Sequence, residues 1–140
     1  MKKFLSLVLA LVMAMSLVTL ASAKDFTDDS SITYKEAVDV ISAIGVVGGY
    51  GNGSFNPKGT LTRGAAAKII SNLILGPTDA DALPTNVSPF KDVPAGSTFA
   101  GYISFCSSEG IISGYADGTF KPAGELSGYA FMKMLLGALG

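Results

Sequence analysis

The sequence predicts a mainly α protein built from tandem helix-loop-helix repeats, on three observations. The first is a phrase written twice, GYGNGSFNP from Gly49 to Pro57 and GYADGTFKP from Gly114 to Pro122, sixty-five positions apart. Gly, Tyr, Gly, Phe and Pro recur in the same slots, with Asn or Asp before the second Gly and Ser or Thr after it, which marks an internal repeat. The second is that the match continues outward. Gly45-Val46-Val47 aligns with Gly110-Ile111-Ile112 and Leu61-Thr62 with Leu126-Ser127; upstream, Phe26-Thr27-Asp28 aligns with Phe90-Lys91-Asp92 after one extra residue. The third is that apolar residues on either side of each phrase fall at helical spacing.

The elements follow in chain order. Met1-Lys2-Lys3 opens an apolar run from Phe4 to Leu20, and Ala21-Ser22-Ala23 supplies small residues where a signal peptidase reads them. Residues 1–23 are therefore expected to be a signal peptide cleaved before Lys24; an uncleaved anchor is the alternative, since the run is at the short edge of a bilayer span. The first repeat is assigned to 24–76. In it Tyr34, Ala37, Val38, Ile41 and Ile44 form a helical stripe from about Thr33 to Ile44. Thr33 with Glu36 reads as a capping box and Gly45 as the left-handed stop.

The phrase comes next as a compact loop. Asn52-Gly53 and Asp117-Gly118 favour tight turns with positive φ, and Pro57 and Pro122 end any strand. Gly49, Tyr50 and Phe55, with their counterparts Gly114, Tyr115 and Phe120, complete this structural loop, its Tyr and Phe held close by the turn. A second helix opens at Thr62, a good N-cap with Leu61 as staple, and presents Ala66, Ile69, Ile70 and Leu73. Residues 77–89, rich in Pro, Asp and Thr, read as a linker. The second repeat, 90–140, repeats the plan: Phe99, Tyr102, Ile103 and Cys106 on its first helix, Gly110 at the stop, then Ser127 capping a helix whose face is Ala130, Phe131, Met134, Leu135 and Ala138. One such unit exposes about as much apolar surface as it buries, so units need neighbours.

Composition excludes several functions. Without 1–23 the chain carries eight basic and eleven acidic residues, a net charge of −3, with no basic run. It is a poor partner for nucleic acid or an anionic membrane surface. It has no histidine, so His catalysis and His metal sites are absent. Cys106 is the only cysteine and has no internal disulfide partner; on a helix's apolar face it reads as core, with a reactive thiol or intermolecular bridge as the alternative. No nucleophile-elbow or P-loop motif occurs, and so short a chain offers little wall for a cleft holding two catalytic carboxylates. Asp-Gly in YADGTF lacks the alternating ligands and closing Glu of a calcium loop. The expectation is a protein that is not an enzyme, with no cofactor and no metal.

Taken together, FKDVP and GIISGYADGTFKP in the second copy, and FTDD, GVVGGYGNGSFNP and LTRGA in the first, resemble the S-layer homology domain, a module of secreted bacterial proteins. The resemblance covers nearly all of 24–140 except the linker. It implies two repeats of a pseudo-threefold, three-repeat prism, secretion to the cell wall or cell surface, and noncovalent binding of secondary cell-wall polysaccharide, often pyruvylated, in grooves where repeats meet. No stable membrane insertion follows signal cleavage. Other such repeats, or self-association, are further expected partners. The alternative function is an S-layer-type assembly module acting through protein contacts.

The same resemblance points to ligand residues. Arg63, first in its helix after the Thr62 cap, sits where free backbone N–H groups and the positive dipole end favour an anion. A carboxylate held by the guanidinium and those N–H groups would offset the cost of a cation at that end; an exposed Arg or a bridge to an Asp is the structural alternative. The family's Thr-Arg-Ala-Glu motif reads Thr62-Arg63-Gly64-Ala65 in copy one and Ser127-Gly128-Tyr129-Ala130 in copy two. The second copy thus lacks the Arg. Tyr34 and Phe99 occupy the family's aromatic position and could stack on a sugar or pack in the core. Asp28 and Asp92 could bind sugar hydroxyls or cap a local turn.

Overall fold

The computed structural model describes residues 24–140; the expected signal peptide, 1–23, lies outside the described residues. The chain is mainly α. After a 3-10 turn at Asp29–Ser31 come α1 (Lys35–Ala43), α2 (Arg63–Leu75), α3 (Pro77–Asp81), α4 (Ala100–Ser108) and α5 (Gly128–Leu139). Among the described residues the only β pairing is an isolated antiparallel bridge between Thr62 and Glu125, and no helix is long and apolar enough to cross a membrane.

The two repeats stop and start their helices by the same chemistry. After α1, Gly45 takes φ 77° and donates to Ser42 O, while Val46 N donates to Ile41 O. After α4, Gly110 takes φ 71° and donates to Ser107 O, while Ile111 N donates to Cys106 O. These paired bonds satisfy carbonyls the helix leaves orphaned, and the left-handed residue they need is glycine at no steric cost. At the other end, Thr62 Oγ1 accepts from Ala65 N and Ser127 Oγ from Ala130 N, as expected of N-caps.

Packing runs through α2, which meets α3, α4 and α5. Ala66, Ala67, Ile70, Ser71 and Asn72 are all buried on it, so this helix is enclosed on more than the one face its stripe suggested. Ile70, Ile103, Cys106, Phe120 and Met134 share one core with it. Cys106 is fully buried, with Ser71 Oγ 3.4 Å from its sulfur, and burial pushes its thiol pKa up. It is a packing residue.

Three local expectations are corrected. The capping box at Thr33 and Glu36 does not form: α1 starts at Lys35 with Tyr34 as N-cap and no side-chain cap bond. Lys35 Nζ instead bridges Asp29, at 3.1 Å, and Asp39, at 2.8 Å, pinning the first turn from the solvent side. The α1 stripe is largely uncovered, with Val38 buried but Tyr34 78% and Ile44 56% exposed. Only a small separate core of Phe26, Ile32 and Val38, with Phe55 against it, lies beneath. The stretch 77–89 opens with α3, whose Ala80 is buried and whose Asp81 accepts from Tyr102 Oη at 2.5 Å and Lys68 Nζ at 3.3 Å. Pro77 at the first helical position and Asp79 in the first turn favour that helix, and the composition reading missed them.

Candidate functional site

Each repeated loop is built from the inside by the same bonds. In the first, Tyr50 N donates to Ser54 O and Gly53 N to Tyr50 O, while Asn52 Oδ1 accepts from Ser54 N at 3.1 Å and Ser54 Oγ at 2.8 Å. In the second, Tyr115 N donates to Thr119 O and Gly118 N to Tyr115 O, while Asp117 Oδ1 accepts from Thr119 N at 3.0 Å and Thr119 Oγ1 at 2.6 Å. The Asn and Asp of the motif are therefore turn formers that grip the hydroxyl residue two positions on.

Asp28 and Asp92 clamp these loops from outside. Asp28 accepts from Phe55 N and Asn56 N, both at 2.8 Å, and Asp92 from Phe120 N and Lys121 N, both at 2.7 Å. The Phe55 N–H lowers the Asp28 pKa, helped by that of Asn56, and the Phe120 and Lys121 N–H groups do the same for Asp92. Asn56 and Lys121 take φ of 57° and 59°, left-handed values that turn both N–H groups of each pair toward one carboxylate. The aromatic partner of each loop Phe is the Phe of Phe-x-Asp: Phe26 with Phe55, and Phe90 with Phe120, ring centroids 5.3 Å apart in both.

The repeats meet at the start of α2. Arg63 Nε donates to Phe120 O at 2.8 Å and its Nη2 to Ser113 O at 3.1 Å. The guanidinium carbon lies 4.4 Å from the Phe120 ring centroid and 5.1 Å from that of Tyr115. Lys121 Nζ lies 4.4 Å from the same Tyr115 ring, so two cations gather on one aromatic residue that is 46% exposed. The backbone joins in: Arg63 N donates to Gly124 O, Gly64 N to Pro122 O, and Leu126 N to Leu61 O. Gly64 is obligatory for this approach, because a Cβ there would meet the Phe99 ring at 2.7 Å and Pro122 O at 3.1 Å.

This geometry corrects one expectation about the anion site. The N–H groups of Arg63, Gly64, Ala65 and Ala66 all have partners within the chain, in Gly124 O, Pro122 O, Thr62 Oγ1 and Thr62 O, so no backbone cradle remains. The dipole cost of a cation at this helix start is met by the Phe120 and Ser113 carbonyls. What stays open to solvent is the Arg63, Tyr115 and Lys121 surface. Of the residues singled out from the sequence, the structure brings Arg63 and Thr62 together with Phe99, which packs half-buried beside Gly64. Asp28 and Tyr34 lie away from the junction, in the part served by the smaller core. Lys121 was missed, since it sits in a variable slot of the phrase, opposite Asn56, and its closeness to Tyr115 depends on loop curvature.

A second feature is a cleft of about 440 Å³ lined by Gly48, Tyr50, Phe55, Leu61, Lys68, Asn72 and Phe99, among others. Asn72 is buried; its Nδ2 donates to Val46 O and Gly45 O, while its Oδ1 has no partner among the described residues. Among the described residues no group of three or more His, Cys, Asp or Glu side chains is placed to hold a metal.

Known proteins carry the same pattern. The family model for the S-layer homology domain matches residues 25–67 and 89–128. A surface layer protein of Brevibacillus choshinensis is 31% identical over 143 aligned residues, covering all of this chain and 13% of that protein. The middle cell wall protein of Brevibacillus brevis is 29% identical, covering all of this chain and 14% of that protein. A cellulosome-anchoring protein of Acetivibrio thermocellus is 35% identical over 74 residues, 53% of this chain and 16% of that protein. The chain thus spans a small fraction of these relatives' length. No solved structure matches it significantly.

Proposed function

Because the chain belongs to the S-layer homology family, we propose that it anchors a secreted bacterial protein to the cell wall by binding secondary cell-wall polysaccharide noncovalently. The cell surface is its address, as the surface layer, cell wall and anchoring relatives indicate, and its role is structural attachment, not catalysis. One observation carries the binding reading: Arg63 and Lys121 converge on the half-exposed Tyr115 ring at the repeat junction. Guanidinium and ammonium groups give charge-assisted bonds to a carboxylate, and an aromatic edge beside them suits the apolar flank of a sugar. An acidic substituent on the polymer, such as a pyruvate ketal, fits this pair of cations.

Within that reading Arg63 has two roles, holding the second loop through Nε and Nη2 and offering its remaining N–H groups outward. Thr62 fixes the helix start that aims it. Asp92 and Asp28 act through the loops they clamp, both their carboxylate oxygens being engaged by backbone donors. Tyr34, exposed on α1, is free to stack on a sugar, and Phe99 acts as packing beneath Gly64. The proposed units are 24–76 and 90–140 with 77–89 between them, after a signal peptide at 1–23.

Co-sedimentation with wall sacculi that keep their secondary polymer, against sacculi stripped of it, tests the proposal. Pelleting only with the intact sacculi is expected; equal pelleting with both, or none with either, contradicts it.

A further inference from the structure

The asparagines of the chain differ in what their own backbone can do to them. An asparagine loses its side-chain amide when the backbone nitrogen of the next residue attacks Cγ, so that nitrogen must carry a proton to give up and have room to approach. Asn56 precedes Pro57, which has no N–H. Asn86 precedes Val87, whose branched side chain crowds the approach. Asn72 is buried within α2, where the backbone nitrogens are spent on the helix. Only Asn52 is followed by glycine, and a Cβ added to Gly53 would meet nothing nearer than Thr27 Cγ2 at 3.4 Å. The approach there is open.

The loop also supplies what the attack needs. As the nitrogen adds to Cγ, negative charge collects on Oδ1, and that atom already accepts from Ser54 N at 3.1 Å and Ser54 Oγ at 2.8 Å. Two donors aimed at a developing oxyanion lower the barrier. The restraint is the turn itself, in which Gly53 N donates to Tyr50 O and Gly53 O accepts from Thr27 N. Those bonds must open first, and beneath them lies only the small core of Phe26, Ile32 and Val38, a setting in which local opening costs little. The second loop shows that the acid product fits. Asp117 stands in the place of Asn52 and holds Thr119 N and Oγ1 as Asn52 holds Ser54.

We propose that Asn52 is a self-modification site, which converts to aspartate and isoaspartate through a succinimide while Ser54 stabilises the reacting carbonyl oxygen. Gly53 N gives its proton to hydroxide and bonds to Asn52 Cγ, the Cγ–Nδ2 bond breaks, and ammonia leaves. One water then opens the five-membered imide: breaking the bond from Cγ to the Gly53 nitrogen gives aspartate, and breaking the bond from the backbone carbonyl gives isoaspartate. Water is the only co-reactant. The isoaspartate lengthens the main chain by one carbon and disrupts the turn, whereas the aspartate keeps it and adds a charge. That charge meets different surroundings from its twin. The Thr119 hydroxyl and N–H, with Lys91 and Lys121 behind them, hold the Asp117 pKa down, but the first loop has Thr27 and Asn56 where those lysines stand. Conversion therefore leaves the first repeat with a carboxylate that lacks those cations.

The test holds the folded chain in mildly alkaline buffer, samples it over time, and reads its peptides by mass spectrometry with electron-based fragmentation, which separates the two acids. Position 52 is expected to gain the mass difference between an amide and an acid, as both aspartate and isoaspartate, at a rate that rises with pH. Asn56, Asn72 and Asn86 should stay unchanged. Ser54→Ala should slow the conversion about fivefold to tenfold, and Ser54→Thr, which copies the second loop, should restore it. Asn52→Asp should keep the parent's thermal midpoint at neutral pH, since the second loop carries that acid. Conversion led by another asparagine, aspartate formed without isoaspartate, or no conversion over the time in which a capped peptide of residues 50–55 is consumed overturns the proposal. A Ser54→Ala rate equal to or above the parent's overturns the role of Ser54, and a lowered midpoint in Asn52→Asp overturns the fit of the product.

Discussion

The loops at 49–57 and 114–122 have nearly the same internal hydrogen bonds, the same carboxylate clamp and the same Phe pair, yet one is part of the main core and the other is not. Phe120 is fully buried and shares a cluster with α2, α4 and α5. Phe55 is half-buried against a satellite of three residues, Phe26, Ile32 and Val38. The difference lies in what rests on each loop: Arg63 and Gly64 on the second, and Lys24 on the first. A repeated phrase fixes a loop's shape, whereas its burial is fixed by the neighbour that docks on it.

The strongest way to break the contrast is Arg63→Ala. It removes two charge-assisted bonds and two cation–aromatic contacts from the second loop and leaves its carbonyls facing the junction. A loss of about 2–3 kcal/mol is expected in urea unfolding. Lys24→Ala, the nearest equivalent at the first loop, should stay within about 0.5 kcal/mol because its contact is exposed. Gly64→Ala should cost about 1–3 kcal/mol, since the new methyl must displace the Phe99 ring or the Pro122 carbonyl. Its signature is a change in the Phe99 ring resonances.

Acid should act on both loops together. Asp28 and Asp92 have pKa values depressed by backbone N–H donors, so the unfolded chain binds their protons more readily than the folded one. Their stabilisation is complete above the ordinary carboxylate pKa of about 3.9 and is lost as pH falls through the depressed values. Thermal midpoints should hold from neutrality to about pH 5 and fall below about pH 4. Asp117 adds a difference, because the Thr119 hydroxyl and N–H lower its pKa where the first loop has Asn52. Asp117→Asn keeps the acceptor and removes the titration, so the variant's midpoint should fall less steeply in acid, with little change at pH 7.

Much of this was legible in the residues. The loops, helix stops at Gly45 and Gly110 and caps at Thr62 and Ser127 are local, written in dipeptides and single side chains. The core of the second repeat followed from helical spacing. What was not legible depends on neighbours. Thr33 and Glu36 have capping chemistry, but the preceding 3-10 turn and the Lys35 bridges to Asp29 and Asp39 set the start of α1 instead. The α1 stripe looks like a core face, yet among the described residues no helix covers it. Arg63 was singled out for an anion, while its bonds to carbonyls 50 and 57 positions away could not be read from a helix start. Lys121 became visible only when loop curvature brought it to Tyr115.

The most direct measurement is the affinity of Lys121→Asn for isolated secondary wall polymer, by titration calorimetry beside the parent chain. Asn is the residue at the matching left-handed position of the first loop, so the backbone is kept and stability should not change. If the Arg63, Tyr115 and Lys121 surface holds an acidic sugar, affinity should fall about fivefold to tenfold, and the parent's affinity should weaken with added salt. Unchanged affinity in the variant, with the parent binding tightly, would contradict that placement of the site.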